Sequence, residues 1–126
     1  MDILVVEHDV HTAESILECI KELGYNREFV FTGRAAEIKA AQKDFDILVL
    51  DILLPDRRAY ETMARIKSIL PEVEIITITE HNSRPMELEI RKMGIAYYMI
   101  KPIETQILKE VLEHIAAKRT QEKRII

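Results

Sequence analysis

Four short strand-like runs in this chain each end in a reactive side chain. Ile3-Leu4-Val5-Val6 runs into Glu7-His8-Asp9, and Ile47-Leu48-Val49-Leu50 runs into Asp51. Ile75-Ile76-Thr77-Ile78 runs into Thr79, and Ala96-Tyr97-Tyr98-Met99-Ile100 into Lys101-Pro102. Short continuous apolar runs fit strands buried on both faces. Between them, apolar residues recur every three or four positions. Val10, Ala13, Ile16, Leu17, Ile20 and Leu23 form one such stripe, and Ile107, Leu108, Val111, Leu112 and Ile115 another. The pattern predicts strands over about 2–7, 27–31, 46–50, 73–78 and 95–99, with helices over about 10–23, 33–43, 58–70, 84–93 and 104–119. Gly24 supplies a stop for the first helix, Thr32 an N-cap for the second, and Pro85 sits in the first turn of the fourth. Strict alternation of strand and helix gives an α/β fold with a parallel sheet covered on both faces. In such a sheet ligands meet the carboxyl ends of the strands.

A chain of 126 residues suits one domain, read as a body over 1–119 and a short basic tail over 120–126. Lone Cys19 falls on an apolar helix stripe and reads as a buried thiol in a reduced, cytoplasmic setting. No basic leader or long apolar stretch is present, so neither a signal peptide nor a membrane span is expected. A net charge of -4 argues against nucleic-acid binding by the body. Lys118, Arg119, Lys123 and Arg124 cluster near the end. They read as cations complementing a helix carbonyl terminus, or as a contact arm for a partner.

Gly24, Gly33 and Gly94 are the only glycines, and none builds a phosphate-cradling loop after a strand. The acidic loop after the first strand repels a nucleotide or flavin phosphate and attracts a cation instead. Asp51 is the candidate nucleophile, because a carboxylate can attack phosphorus to form an acyl phosphate. Attacker and transferred group are both anionic, and at ~4 Å each charge pair repels by roughly 4 kcal/mol at an effective dielectric near 20. The reaction therefore needs cations. A divalent metal on the nearby acids, the Lys101 ammonium and the Thr79 hydroxyl form a set that meets this need.

Taken in order, these residues resemble the response-regulator receiver domain over nearly the whole chain, about 1–119. The resemblance rests on Leu4-Val5-Val6 entering Glu7-His8-Asp9, Asp51 with Pro55 four residues on, Thr79, and Tyr98-Met99-Ile100-Lys101-Pro102. It implies a flavodoxin-like fold with strand order 2-1-3-4-5. It also implies that Asp51 accepts phosphate from a histidine kinase or phosphotransfer protein, and that Lys101 binds the phosphoryl group. Thr79 and Tyr98 would be the switch pair that alters the surface of the fourth helix, fifth strand and fifth helix. Mg2+ would be held by Glu7, Asp51 and the backbone carbonyl of Leu53, with His8 or Asp9 as a further ligand. A downstream protein target is implied, and a homodimer through the fourth-helix face is a family habit.

The chain departs from the family pattern at several points. Glu7 and His8 stand where the family has two acids, and imidazole is a poorer magnesium donor than carboxylate. If protonated, His8 would supply part of the missing metal charge, leaving magnesium affinity weak and phosphorylation slow or pH-dependent. Asp9 is either a helix N-cap or a replacement acid. Pro55-Asp56-Arg57-Arg58-Ala59 lacks both glycines of the family's turn, and Glu80 adds an acid beside Thr79. These departures favour an alternative, a receiver-like interaction module that works without phosphorylation. An aspartate-nucleophile phosphohydrolase is the remote alternative, because such enzymes place a second aspartate where this chain has Leu53.

Overall fold

The computed structural model describes residues 1–125, with side chains up to residue 122. Five strands, β1 (Asp2–Val6), β2 (Asn26–Val30), β3 (Ile47–Asp51), β4 (Glu74–Thr79) and β5 (Tyr97–Ile100), alternate with five helices. These are α1 (Val10–Glu22), α2 (Gly33–Gln42), α3 (Ala59–Ile69), α4 (Arg84–Lys92) and α5 (Thr105–Ile125). The sheet order is β2-β1-β3-β4-β5, as expected, and every neighbouring pair is parallel.

Side chains alternate across each strand, so the central strands feed two cores. Ile3, Val5, Ile47, Val49, Ile76 and Ile78 pack against Ile16, Cys19 and Ile20 of α1 and Leu108, Leu112 and Ile115 of α5. Leu4, Val6, Leu48, Leu50 and Ile75 face Ala36 and Ala40 of α2, Met63 and Ile66 of α3, and Ile90 of α4. Each fully buried Leu or Ile contributes roughly 2 kcal/mol relative to exposure.

Local signals place the helix ends. Asp9, Thr32 and Ser83 cap α1, α2 and α4 by accepting from the backbone N–H three residues on. Gly24 adopts φ +79° just after α1, a left-handed conformation that stops the helix. Lys67 of α3 donates to the carbonyls of Met93 and Gly94, at 2.6 Å each, satisfying acceptors beyond the end of α4.

Two expectations are corrected. The first concerns the fifth helix, which runs to Ile125 rather than ending near 119. Nothing between 116 and 125 breaks a helix, and Thr120 Oγ1 bonds back to Ala116 O at 3.0 Å. The second concerns the basic end, where Arg119 is more than a solvated cation. It donates to Asp46 Oδ1 at 3.4 Å, to Asp46 O at 2.9 Å and to Glu72 O, pinning α5 to the amino edge of the sheet. The side chains of Lys123 and Arg124 lie outside the described residues.

Candidate functional site

The carboxyl ends of β1, β3, β4 and β5 bring four sequence-flagged residues to one edge of the sheet. β1 pairs with β3 up to Val6↔Leu50, which sets Glu7 beside Asp51. β3 pairs with β4 up to Asp51↔Ile78, so Thr79 follows one residue beyond. The strands β3 and β4 each run one residue further than expected, to Asp51 and Thr79. The register continues past them, with Ile52 N donating to Ile78 O at 3.0 Å and Lys101 N to Thr79 O at 2.7 Å.

Glu7 and Asp51 are both buried, at 0% and 1% exposure, which is costly for carboxylates without cationic partners. Lys101 Nζ answers both, lying 3.0 Å from Glu7 Oε1 and 3.3 Å from Asp51 Oδ2. His8 enters from the solvent side, with Nδ1 2.9 Å from Asp51 Oδ2 and 3.6 Å from Glu7 Oε1. Asp51 Oδ1 accepts from Leu53 N at 2.9 Å, which fixes the carboxylate plane. Glu7 Oε1 also takes the Asp9 N–H at 3.0 Å, whereas its Oε2 is buried without a partner.

The pocket perturbs its own ionisation. Burial, followed by the adjacent Asp51 carboxylate, pushes the Glu7 carboxyl up to about 7. Burial alone would lower the Lys101 ammonium, but its hydrogen bond to Glu7 and the Asp51 charge outweigh it and raise the value.

Other candidates point elsewhere. Asp9 Oδ2 accepts from Thr12 Oγ1 at 2.5 Å and Thr12 N at 3.3 Å, so it caps α1. The Thr12 hydroxyl is the main cause of its lowered carboxyl pKa. The buried Thr79 hydroxyl accepts from His81 N at 3.1 Å. Tyr98 is buried, with its hydroxyl donating to Asn82 Oδ1 at 2.8 Å and its ring 5.5 Å from the Arg91 guanidinium carbon. Glu80, His11, His81 and His114 are exposed.

Sequence reasoning missed Asn82 and Asp56. No local pattern announces that Asn82, in the loop after β4, meets a tyrosine on the neighbouring strand. Asp56 accepts from Gly33 N and Arg34 N at 3.0 Å each, so the loop after β3 caps α2 across the fold. That loop manages without glycine, because a Leu53↔Arg58 bridge closes it and none of its residues has positive φ.

Glu7, His8 and Asp51 each offer one ligand atom, all within 4.8 Å of one another. The partnerless Glu7 oxygen is the observation that suits a cation here, since burial of an unpaired acceptor is otherwise unfavourable. Two carboxylates and one imidazole fit a divalent ion that accepts a nitrogen donor.

With this geometry in hand, known proteins give a consistent answer. The profile of the family described as "Response regulator receiver domain" matches residues 3–113. The transcriptional regulatory protein ZraR of Salmonella typhimurium is 30% identical over 117 residues, covering 93% of this chain and 26% of that protein. The transcriptional regulatory protein CitT of Bacillus subtilis is 32% identical over 122 residues, covering 93% of this chain and 53% of that protein. The signal receiver domain of a putative Luxo repressor protein from Vibrio parahaemolyticus superposes with a TM-score of 0.90 at 22% identity, covering 98% of this chain and 95% of that one. The chain belongs to the response regulator receiver domain family of two-component signalling. It spans from about a quarter to about half the length of these two curated relatives. Among the described residues, no helix is long and apolar enough to cross a membrane.

Proposed function

We propose that this domain accepts a phosphoryl group on Asp51 from the phosphohistidine of a histidine kinase or phosphotransfer protein. The observation that carries the reading is the shared grip of Lys101 on Glu7 and Asp51, at 3.0 and 3.3 Å, in an otherwise buried acid pair. In the transfer, an Asp51 oxygen forms a bond to phosphorus while the phosphorus–nitrogen bond of the donor breaks. The donor imidazole keeps the bonding pair and takes a proton. Lys101 is placed to neutralise the phosphoryl oxygens, and the Leu53 N–H holds the other Asp51 oxygen in place.

Glu7, Asp51, His8 and the Leu53 carbonyl are the groups that would hold a divalent cation. Such an ion supplies positive charge to an otherwise anion-on-anion encounter. Asp9 is committed to Thr12 and is the weaker choice as a ligand.

Phosphorylation would draw the Thr79 hydroxyl from His81 N and loosen the Tyr98–Asn82 contact, shifting the surface of α4, β5 and α5. Leu88, Tyr97 and Ile100 lie exposed on α4 and β5, which suits a downstream protein or a second copy of the chain. A cytoplasmic setting agrees with the buried free thiol of Cys19. Leu53 offers no acid two residues after Asp51, so phosphate-ester hydrolysis is not favoured. The net charge of -4 supports reading the body itself as a regulatory unit without direct nucleic-acid contact.

One observation favours the phosphorylation-independent alternative. His8 Nδ1 sits 2.9 Å from the same Asp51 oxygen that Lys101 holds, so that oxygen is already doubly engaged. Incubation with acetyl phosphate and a divalent cation, followed by intact mass, separates the readings. One added phosphoryl group in the wild type and none in Asp51→Asn supports phosphoacceptance. An unmodified wild type supports the interaction module.

A further inference from the structure

We propose that His8 is a metal ligand, so that the pocket prefers a nitrogen-accepting divalent transition ion to Mg2+. The proposal rests on the divalent-cation site of the phosphoacceptor reading. Its test reads metal binding directly, so a failure of phosphorylation and a failure of selectivity are separate results.

Three observations converge. First, His8 Nδ1 lies 2.9 Å from Asp51 Oδ2 and 3.6 Å from Glu7 Oε1. Adjacent ligands on an octahedral ion with bonds of ~2.1 Å stand about 3 Å apart, so the imidazole and Asp51 Oδ2 already have the spacing of neighbouring ligands. Second, Glu7 is fully buried and its Oε2 has no partner, while its Oε1 is held by Lys101 and the Asp9 N–H. A cation on Oε2 leaves both of those bonds intact. Third, Asp9, the only acid that could replace the missing second carboxylate in this loop, is tied to Thr12. The third side-chain donor is therefore nitrogen.

Those donors discriminate between ions. Mg2+ demands oxygen ligands in near-ideal octahedral geometry and dehydrates reluctantly. Imidazole suits the later first-row ions, whose affinity for mixed nitrogen and oxygen sites rises from Mn2+ towards Cu2+. Those ions outbind Mg2+ at many sites, so the diagnostic quantity is how the preference depends on position 8. His8→Asp makes the set all-oxygen and should raise magnesium affinity while removing the nitrogen bond.

The experiment titrates the metal-stripped chain with CoCl2 and, separately, MgCl2 by calorimetry. Bound Co2+ is also followed by visible absorption and by proton NMR for a hyperfine-shifted imidazole N–H. We expect Co2+ to bind at least about tenfold more tightly than Mg2+, with that ratio falling about tenfold or more in His8→Asp. The shifted imidazole signal should be present in the wild type and in a His11→Ala/His81→Ala/His114→Ala variant, and absent in His8→Ala. A cobalt-to-magnesium ratio unchanged by His8→Asp would overturn the proposal. So would a wild-type cobalt complex without an imidazole signal, a signal lost with the other three histidines, or no cobalt binding at all. The NMR readout on the wild type decides the matter even if a position 8 variant folds poorly.

Discussion

Lys101 carries a disproportionate share of the site's stability, because it is the part-buried cation between two buried carboxylates. Lys101→Met should lower the unfolding free energy by about 3 kcal/mol, the usual cost of stranding one side of a buried pair. Adding Glu7→Gln should recover part of that loss, as read by urea denaturation of the two variants. Glu7 also gives the protein a pH signature. Its folded pKa is raised from 4.5 to about 7, so the folded state holds a proton that the unfolded chain releases in between. Its stabilising contribution is complete below pH 4.5 and disappears as pH rises through about 7. In chelator-treated samples, wild-type stability should fall across that window by up to about 3 kcal/mol more than Glu7→Gln. Equal slopes would contradict the raised value. At this scale, the sequence made Asp51, Glu7 and Lys101 readable, because each follows an apolar run that ends at the same sheet edge. It left Asp9 undecided between capping and ligation. Capping wins in the structure because Thr12 offers both a hydroxyl and an N–H within reach.

The helices meet across the sheet ends through contacts that no local pattern encodes. Gly33 opens α2 where a Cβ would stand 2.5 Å from Thr62 Oγ1 on α3 and 3.3 Å from Arg57 Cβ. Alanine is the better helix former, but Thr62 is buried and β-branched and cannot step aside. Gly33→Ala should therefore destabilise by about 1–2 kcal/mol, and Thr62→Ala in the same chain should reduce that cost. A Gly33→Ala protein as stable as wild type would refute the close approach. Asp56 joins the same helix start to the loop after β3 by two hydrogen bonds, and Asp56→Ala should cost about 1 kcal/mol in denaturant titration. Thr32 as a cap and Gly24 as a stop were visible in sequence because those signals are local. The bond from Asp56 to Gly33 spans 23 positions, and the bond from Lys67 to Met93 spans 26, so neither leaves a periodic trace. The fifth helix outran its expected end for the opposite reason, since a helix without a breaker has no local signal to mark its last turn.

On the scale of the molecule, alternation of strand and helix was enough to anticipate a doubly covered parallel sheet. The order of the strands came from the resemblance rather than from periodicity, which does not say which strands become neighbours. Two cores, one on each face, cover the sheet, and Cys19 reports on the face shared by α1 and α5. Its thiol is buried, and burial raises its pKa, so it should react with a thiol reagent only on global opening. Its labelling rate should track urea stability across the variants above, and fast labelling under native conditions would argue against a closed core. The fold exists, on this account, to hold one carboxylate ready for phosphorus. The most direct measurement is borohydride trapping after exposure to a small phosphodonor with a divalent cation, read by tandem mass spectrometry. Reduction of an acyl phosphate should leave homoserine at position 51 and at no other aspartate. Homoserine at a different position, or none after exposure that labels an active receiver domain in parallel, would contradict Asp51 as the acceptor.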